Sequence, residues 1–229
     1  MPRRSAALAL TLALISTLLG APAAADAFDD DPPLLRGRAM LLGVVSAPLL
    51  GEPFRARMVD TGMVERHESA RDSRHAATAQ HEVLDGEVLR AGVETVQADA
   101  APRVDAWVDA GRLGLAGPGV PRVEVRGLQV RAEAGCGTSR GRMRLGYLAI
   151  DGEVVVDEET EVTPNTAVTG GPRAPVLVML NEQVGSGRGR HGVTVRGIRV
   201  LGPAGDLVYG LATAEIEGCD RVDQDGTGG

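Results

Sequence analysis

The sequence predicts an all-β fold: a sandwich-like antiparallel domain behind an N-terminal cleavable signal peptide. Three observations predict it. From Val83 to Cys219, short apolar runs alternate with Gly, Pro and Asp breaks, the cadence of strands and turns. Asp151-Gly152 lies between two apolar runs and supplies the positive backbone angles of a two-residue hairpin turn. No stretch beyond the first 25 residues repeats its apolar positions with a helical period.

The N-terminus predicts the compartment. Arg3 and Arg4 make a short basic start, an apolar run follows from Ala6 to Leu19, and Pro22 leads into the small residues Ala23 to Ala27, broken only by Asp26. This is the order of a secretory signal, with Ala25 or Ala27 as the last residue removed. A membrane-spanning helix needs roughly 20 apolar residues, and this run is shorter. No cysteine follows it to carry a lipid. The expected organisation is a signal at 1–25, an acidic leader at 26–35, an all-β domain at 36–219 and a flexible tail at 220–229. The leader, Asp29-Asp30-Asp31-Pro32-Pro33, reads as a solvated segment that keeps the cleavage site accessible. Adjacent carboxylates without ordered loop partners do not make a calcium site.

Composition narrows the classes of partner. All 24 basic residues are arginine, and 31 residues are acidic. Removing Arg3 and Arg4 leaves 24 − 2 against 31, or about −9, a charge that disfavours nucleic acid and anionic lipid. No second apolar run is long enough to span a membrane. The five aromatic residues are Phe28, Phe54, Trp107, Tyr147 and Tyr209. The core is therefore expected from Val, Leu, Ile and Ala, with few flat faces for sugars or bases. The two cysteines, Cys136 and Cys219, read as a disulfide in an oxidising compartment.

Along the β region, Ala39 to Ala47 is apolar and of strand length. Asp60 to Gln80 is polar with no apolar period and reads as a long exposed loop or edge excursion. Val104 to Val108 and Leu113 to Leu115 read as separate short strands. Val123-Glu-Val-Arg-Gly-Leu-Gln-Val130 is echoed by Val193-Thr-Val-Arg-Gly-Ile-Arg-Val200. In both copies the apolar parity flips at the glycine. A strand alternates faces at every residue, so the flip requires a bulge or a change of sheet. Two such strands are candidates for equivalent places in a pseudo-symmetric sandwich.

Candidate chemistry is sparse. The metal candidates are His67, His75 and His81, set among Glu65, Glu68, Asp72 and Glu82. Zinc needs three or four ligands converging on one point, and these spacings match no ligand period. Ser46, Ser69, Ser73, Ser139 and Ser186 stand in no nucleophile elbow. His191 is the only histidine outside the polar segment. Asp157, Glu158, Glu159 and Glu161 are clustered as a glycosidase pair would need, without aromatics to hold a sugar. No catalytic residue and no cofactor is predicted. Asn181-Glu182-Gln183 ends an apolar run before Gly185-Ser186-Gly187-Arg188-Gly189. Amides so placed satisfy local backbone groups; the functional alternative is a ligand surface.

The hairpin Tyr147 to Val154, Pro164-Asn165, the run Val176-Leu-Val-Met-Leu-Asn-Glu-Gln183 and the strand Gly192 to Ile198 occur in an order that resembles the choice-of-anchor P family of secreted proteins from high-GC Gram-positive bacteria. The resemblance implies a secreted or surface β protein without an assigned activity, and no catalytic residues. Its distinctive elements leave Asn165, Asn181, Glu182 and Gln183 as the binding candidates. The family's C-terminal anchors vary. Here the chain ends Asp223-Gln-Asp-Gly-Thr-Gly-Gly229, so release or loose wall association is expected. The expected function is a secreted extracellular or cell-envelope protein, structural or binding, whose partner is an extracellular or envelope component. The alternative is a metal-dependent secreted enzyme using the 67–82 segment.

Overall fold

In the computed structural model, residues 32–45, 47–49, 52–54, 57–81, 84–98, 101–117, 120–169, 177–202 and 205–219 are described. The expected signal peptide, most of the acidic leader and the tail lie outside them.

The strands are β1 (Leu34–Val45), β2 (Ala47–Leu49), β3 (Glu52–Phe54), β4 (Arg57–Asp60), β5 (Val64–Arg66), β6 (Ala70–His81), β7 (Leu84–Val96), β8 (Arg103–Gly117) and β9 (Val120–Gly135). They continue with β10 (Thr138–Leu145), β11 (Tyr147–Ile150), β12 (Glu153–Val156), β13 (Thr160–Glu161), β14 (Thr166–Thr169), β15 (Leu177–Gly185), β16 (Arg190–Gly202) and β17 (Gly205–Glu217). No α-helix occurs among the described residues. A seven-stranded sheet runs β14-β15-β16-β17-β1, with β4 and β5 on successive stretches of β1. An eight-stranded sheet runs β6-β7-β8-β9 and continues with β10 and β11, end to end along β9. Beyond these, β13 pairs with β10 and β12 with β11. β2 and β3 form a separate hairpin. Every pairing is antiparallel, and the two large sheets pack face to face with one apolar core between them.

Alternation along each strand builds that core. Val104, Val108 and Leu113 on β8, Val123, Val125, Leu128 and Val130 on β9, and Val195, Ile198, Tyr209 and Ile216 opposite them are fully buried. Burying each side chain of this size stabilises the fold by about 1.5–3 kcal/mol. As expected, aliphatic residues dominate, and Tyr209 is the one aromatic core residue among the described side chains. Cys136, in the turn after β9, is bonded to Cys219, just beyond β17, with Cα atoms 5.3 Å apart. The bond fastens one sheet to the other across a sequence separation of 83.

The parity flips have a cooperative origin. Val123, Val125, Leu128 and Val130 all face the core, and β9 keeps one register with β8 through the flip. Neither a strand switch nor an added residue is involved. The register places Val88, Gly111 and Gly127 opposite one another on β7, β8 and β9, with Gly146 next in line, and parity inverts on every strand of that row. The other sheet has a matching row: Asn181, Gly197, Gly210, Leu41 and Val59. Within the rows, Val88, Gly127, Asn181, Gly210 and Val59 have φ between 48° and 72°. Gly210 requires glycine twice over, because its φ is +72° and a Cβ there would sit 2.7 Å from Val130 Cγ2.

Two expectations are corrected by this architecture. Of the two readings of residues 60–80, the loop is overturned and the edge excursion stands: they hold β5 and most of the twelve-residue edge strand β6. The period was hidden because Arg71, Ser73, Arg74 and His75 are exposed on both sides of an edge strand. Nor are the strands short. Val104–Val108 and Leu113–Leu115 belong to one fifteen-residue strand, and the apparent break at Gly111 is the inversion row. The echoed segments fall on β9 and β16, in opposite sheets, with Gly197 backing onto Val130 across the core. They differ in detail, since Gly127 has a positive φ and Gly197 does not. The Asp-Gly hairpin is as expected, with φ of 50° and 83° at Asp151 and Gly152.

Candidate functional site

The distinctive amides meet at one side of the sandwich. Asn181 is 1% exposed and lies in the inversion row of β15. Its Nδ2 donates to the Val162 carbonyl at 2.6 Å, and its Oδ1 accepts from Gln183 Nε2 at 3.0 Å. Gln183 Nε2 also donates to the Gly141 carbonyl on β10 at 3.0 Å. Asn165 completes the set: its Oδ1 accepts from the Gln183 backbone N–H, and its own backbone N–H donates to the Asn181 carbonyl. Asn181 and Gln183 thus bridge from the seven-stranded sheet to carbonyls of the β10–β13 side of the other. Glu182, between them, faces outward and accepts from Arg196 and Arg199, each at 2.9 Å.

The histidines do not converge. His67 is exposed, with Nδ1 2.8 Å from the Pro32 carbonyl. His75 is exposed on β6, and His81 ends that strand; the His81 side chain is not among the described ones. At the rise of an extended strand, six residues separate His75 from His81 by about 20 Å, too far for one ion. Among the described residues, no group of three His, Cys, Asp or Glu is placed to hold a metal. Asp157, Glu158, Glu159 and Glu161 are exposed near β13, and Glu159 pairs with Arg144. Ser69 and Ser186 bond Gln97 N–H and Glu215; Ser73 and Ser139 are exposed on extended strands, and Ser46 lies outside the described residues.

A feature the sequence did not disclose lies on the outer face of the eight-stranded sheet. One row across it reads Arg71, Glu94, Asp105, Glu133, Arg140; the next reads Ser73, Gly92, Trp107, Arg131, Arg142. Trp107 lies over Gly92, where an added Cβ would collide with the indole. The Arg71 guanidinium is 5.3 Å from the ring centre. Burial pushes the Asp105 carboxyl above the usual carboxylate range; the Arg103 bridge at 2.7 Å opposes this, and Glu133 and Glu94 add to it. Only the fold brings these residues together, and no local spacing in the sequence could have signalled them.

Fold and site together define a disulfide-fastened, two-sheet antiparallel β-sandwich. Compared with known protein families, curated proteins and solved structures, the chain matches none.

Proposed function

We propose that this is a secreted extracellular or cell-envelope protein with a structural or binding role rather than a catalytic one. The observation that carries the reading is how the most distinctive polar residues are used: Asn165, Asn181 and Gln183 bond one another and the opposite sheet, and Glu182 holds two arginines. Catalysis needs clustered groups free to meet a substrate, and these are occupied. The Cys136–Cys219 bond suits an oxidising compartment, in keeping with the signal-like N-terminus. The resemblance to the choice-of-anchor P family belongs to the same proposal, as does a partner in the extracellular space or envelope.

Fractionation of the producing cells tests it. The protein is expected in culture fluid or in a wall fraction released by salt. Recovery from the cytoplasm, or only from detergent-extracted membranes, would overturn the proposal.

A further inference from the structure

We propose that the outer face of the eight-stranded sheet, around Trp107, is a binding site for a neutral polysaccharide chain. This deepens the binding reading above and rests on it for its biological setting. Its own evidence is the geometry of the sheet.

Trp107 is the single tryptophan of the chain. Its indole lies along the sheet, because the neighbouring residue on β7 is Gly92 and leaves room for it. A flat indole on a rigid strand offers an apolar platform for the C–H face of a sugar ring. Arg71, from the edge strand, sits over the ring. Such an exposed cation–π contact contributes only about 0.5–1 kcal/mol, so a ligand can displace it.

The surroundings supply what sugar hydroxyls require. The hollow at Trp107 is lined by three arginines, Arg71, Arg103 and Arg131, and three carboxylates, Glu94, Asp105 and Glu133. Planar groups of both signs donate to and accept from vicinal hydroxyls in pairs. Three charges of each sign balance, which favours an uncharged ligand over a polyanion or polycation. Arg103–Asp105, Arg131–Asp109 and Arg142–Glu133 ion pairs hold the lining in place, so little side-chain freedom is lost on binding. Among the described residues, Glu94 and Arg140, which flank Asp105 and Glu133 in their row across the sheet, have no ion-pair partner and are open to a ligand.

The shape suits a chain rather than a compact molecule. Past Arg103 and Glu133 the surface opens into a second hollow of about 690 Å³, lined also by Thr138, Ser139 and Arg140. In the other direction along β9, the Arg126 guanidinium lies 4.9 Å from the centre of the Tyr147 ring, and Tyr147 lines a further hollow with Glu124 and Asp151. Five residues of β9 separate the partner of Trp107, Arg131, from the partner of Tyr147, Arg126, about 17 Å at strand rise. The two arginine–aromatic pairs thus mark one extended track on the same face.

Trp107 fluorescence and affinity electrophoresis test the site directly. The processed, disulfide-intact protein would be titrated with dextran, laminarin and arabinogalactan, with alginate and polylysine as charged comparisons. The expected result is a saturable shift in Trp107 emission, and retardation in the gel, by at least one neutral polysaccharide. Trp107→Ala, followed by electrophoresis, should weaken retardation at least tenfold, and Glu94→Ala severalfold, with both variants keeping the circular dichroism of the parent. Three results would each overturn the site: no neutral polysaccharide binding, binding only to alginate or polylysine, or retardation unchanged in both variants. These outcomes are independent of fractionation, so an exported protein that ignores polysaccharides refutes the site and leaves the export reading standing.

Discussion

Asn181 Nδ2 donates to the Val162 carbonyl at 2.6 Å, joining β15 to the far sheet at a residue whose φ is 50°. One side chain therefore both tolerates the inverted pleat and fastens the layers. Asn181→Ala removes the amide and places alanine in the left-handed region. It removes the bond to the Val162 carbonyl and one of the two acceptors of Gln183 Nε2, which keeps the Gly141 carbonyl, and should cost about 2–4 kcal/mol. Asn181→Gly relieves only the backbone part and should cost less. Urea denaturation of the two variants separates the contributions.

Val88 lies in the inversion row of the other sheet and lacks such a justification. It is β-branched, 51% exposed and held at φ 54°, where strain runs to about 1–3 kcal/mol. Val88→Gly relieves that strain at an entropic cost of about 0.5–1 kcal/mol. The variant should be more stable by about 1 kcal/mol, read as a higher urea midpoint at unchanged slope. Gly210→Ala should do the reverse, losing more than about 2 kcal/mol, because it adds a clash with Val130 to the strain.

Tyr209 is fully buried, and its hydroxyl has no hydrogen-bond partner among the described residues. Desolvation pushes its pKa far above the usual range. Tyr209→Phe removes an unsatisfied polar atom and fills the same space. It should stabilise the protein by about 1 kcal/mol, seen as a raised Tm in calorimetry.

Asp105 predicts a pH dependence of known sign. Its folded pKa is raised above 3.8, chiefly by burial. The folded chain therefore binds more protons than the unfolded one between those two values, and stability falls as pH rises through that window. Asp105→Asn should unfold at higher urea than the parent at about pH 7. At about pH 3, where the carboxyl is protonated in both states, the difference should vanish.

Sequence and structure agree where the determinants are local. Asp151-Gly152 dictates its hairpin through its own backbone preferences, and Cys136 with Cys219 leaves one pairing. The flip at Gly127 was visible as an interruption of alternation. Its meaning was not, because the row of Val88, Gly111, Gly127 and Gly146 exists only once strands are adjacent. The same interruption made β8 read as two strands. β6 was legible only as a loop or edge excursion, because an edge strand exposed on both faces has no apolar period to detect. The structural role of Asn181 and Gln183 follows from amide chemistry, whereas their partners, Val162 and Gly141, lie across the sandwich. Trp107 gave no signal, since Arg71, Gly92 and Arg131 reach it from three other strands.

The disulfide contributes through the unfolded chain. Closing a loop of 83 residues stabilises by roughly 4–5 kcal/mol on loop-entropy grounds. Replacing Cys136 and Cys219 together by Ser should lower the urea midpoint accordingly, and reductant should have no further effect on that variant.

The most direct test of a secreted, disulfide-fastened sandwich is the intact mass of the exported protein, measured with and without reductant. The account predicts a chain beginning at Asp26 or Phe28 whose mass rises by two hydrogens on reduction, with no thiol alkylated beforehand. A chain that retains Met1, or one with Cys136 and Cys219 both alkylated without reductant, would contradict it.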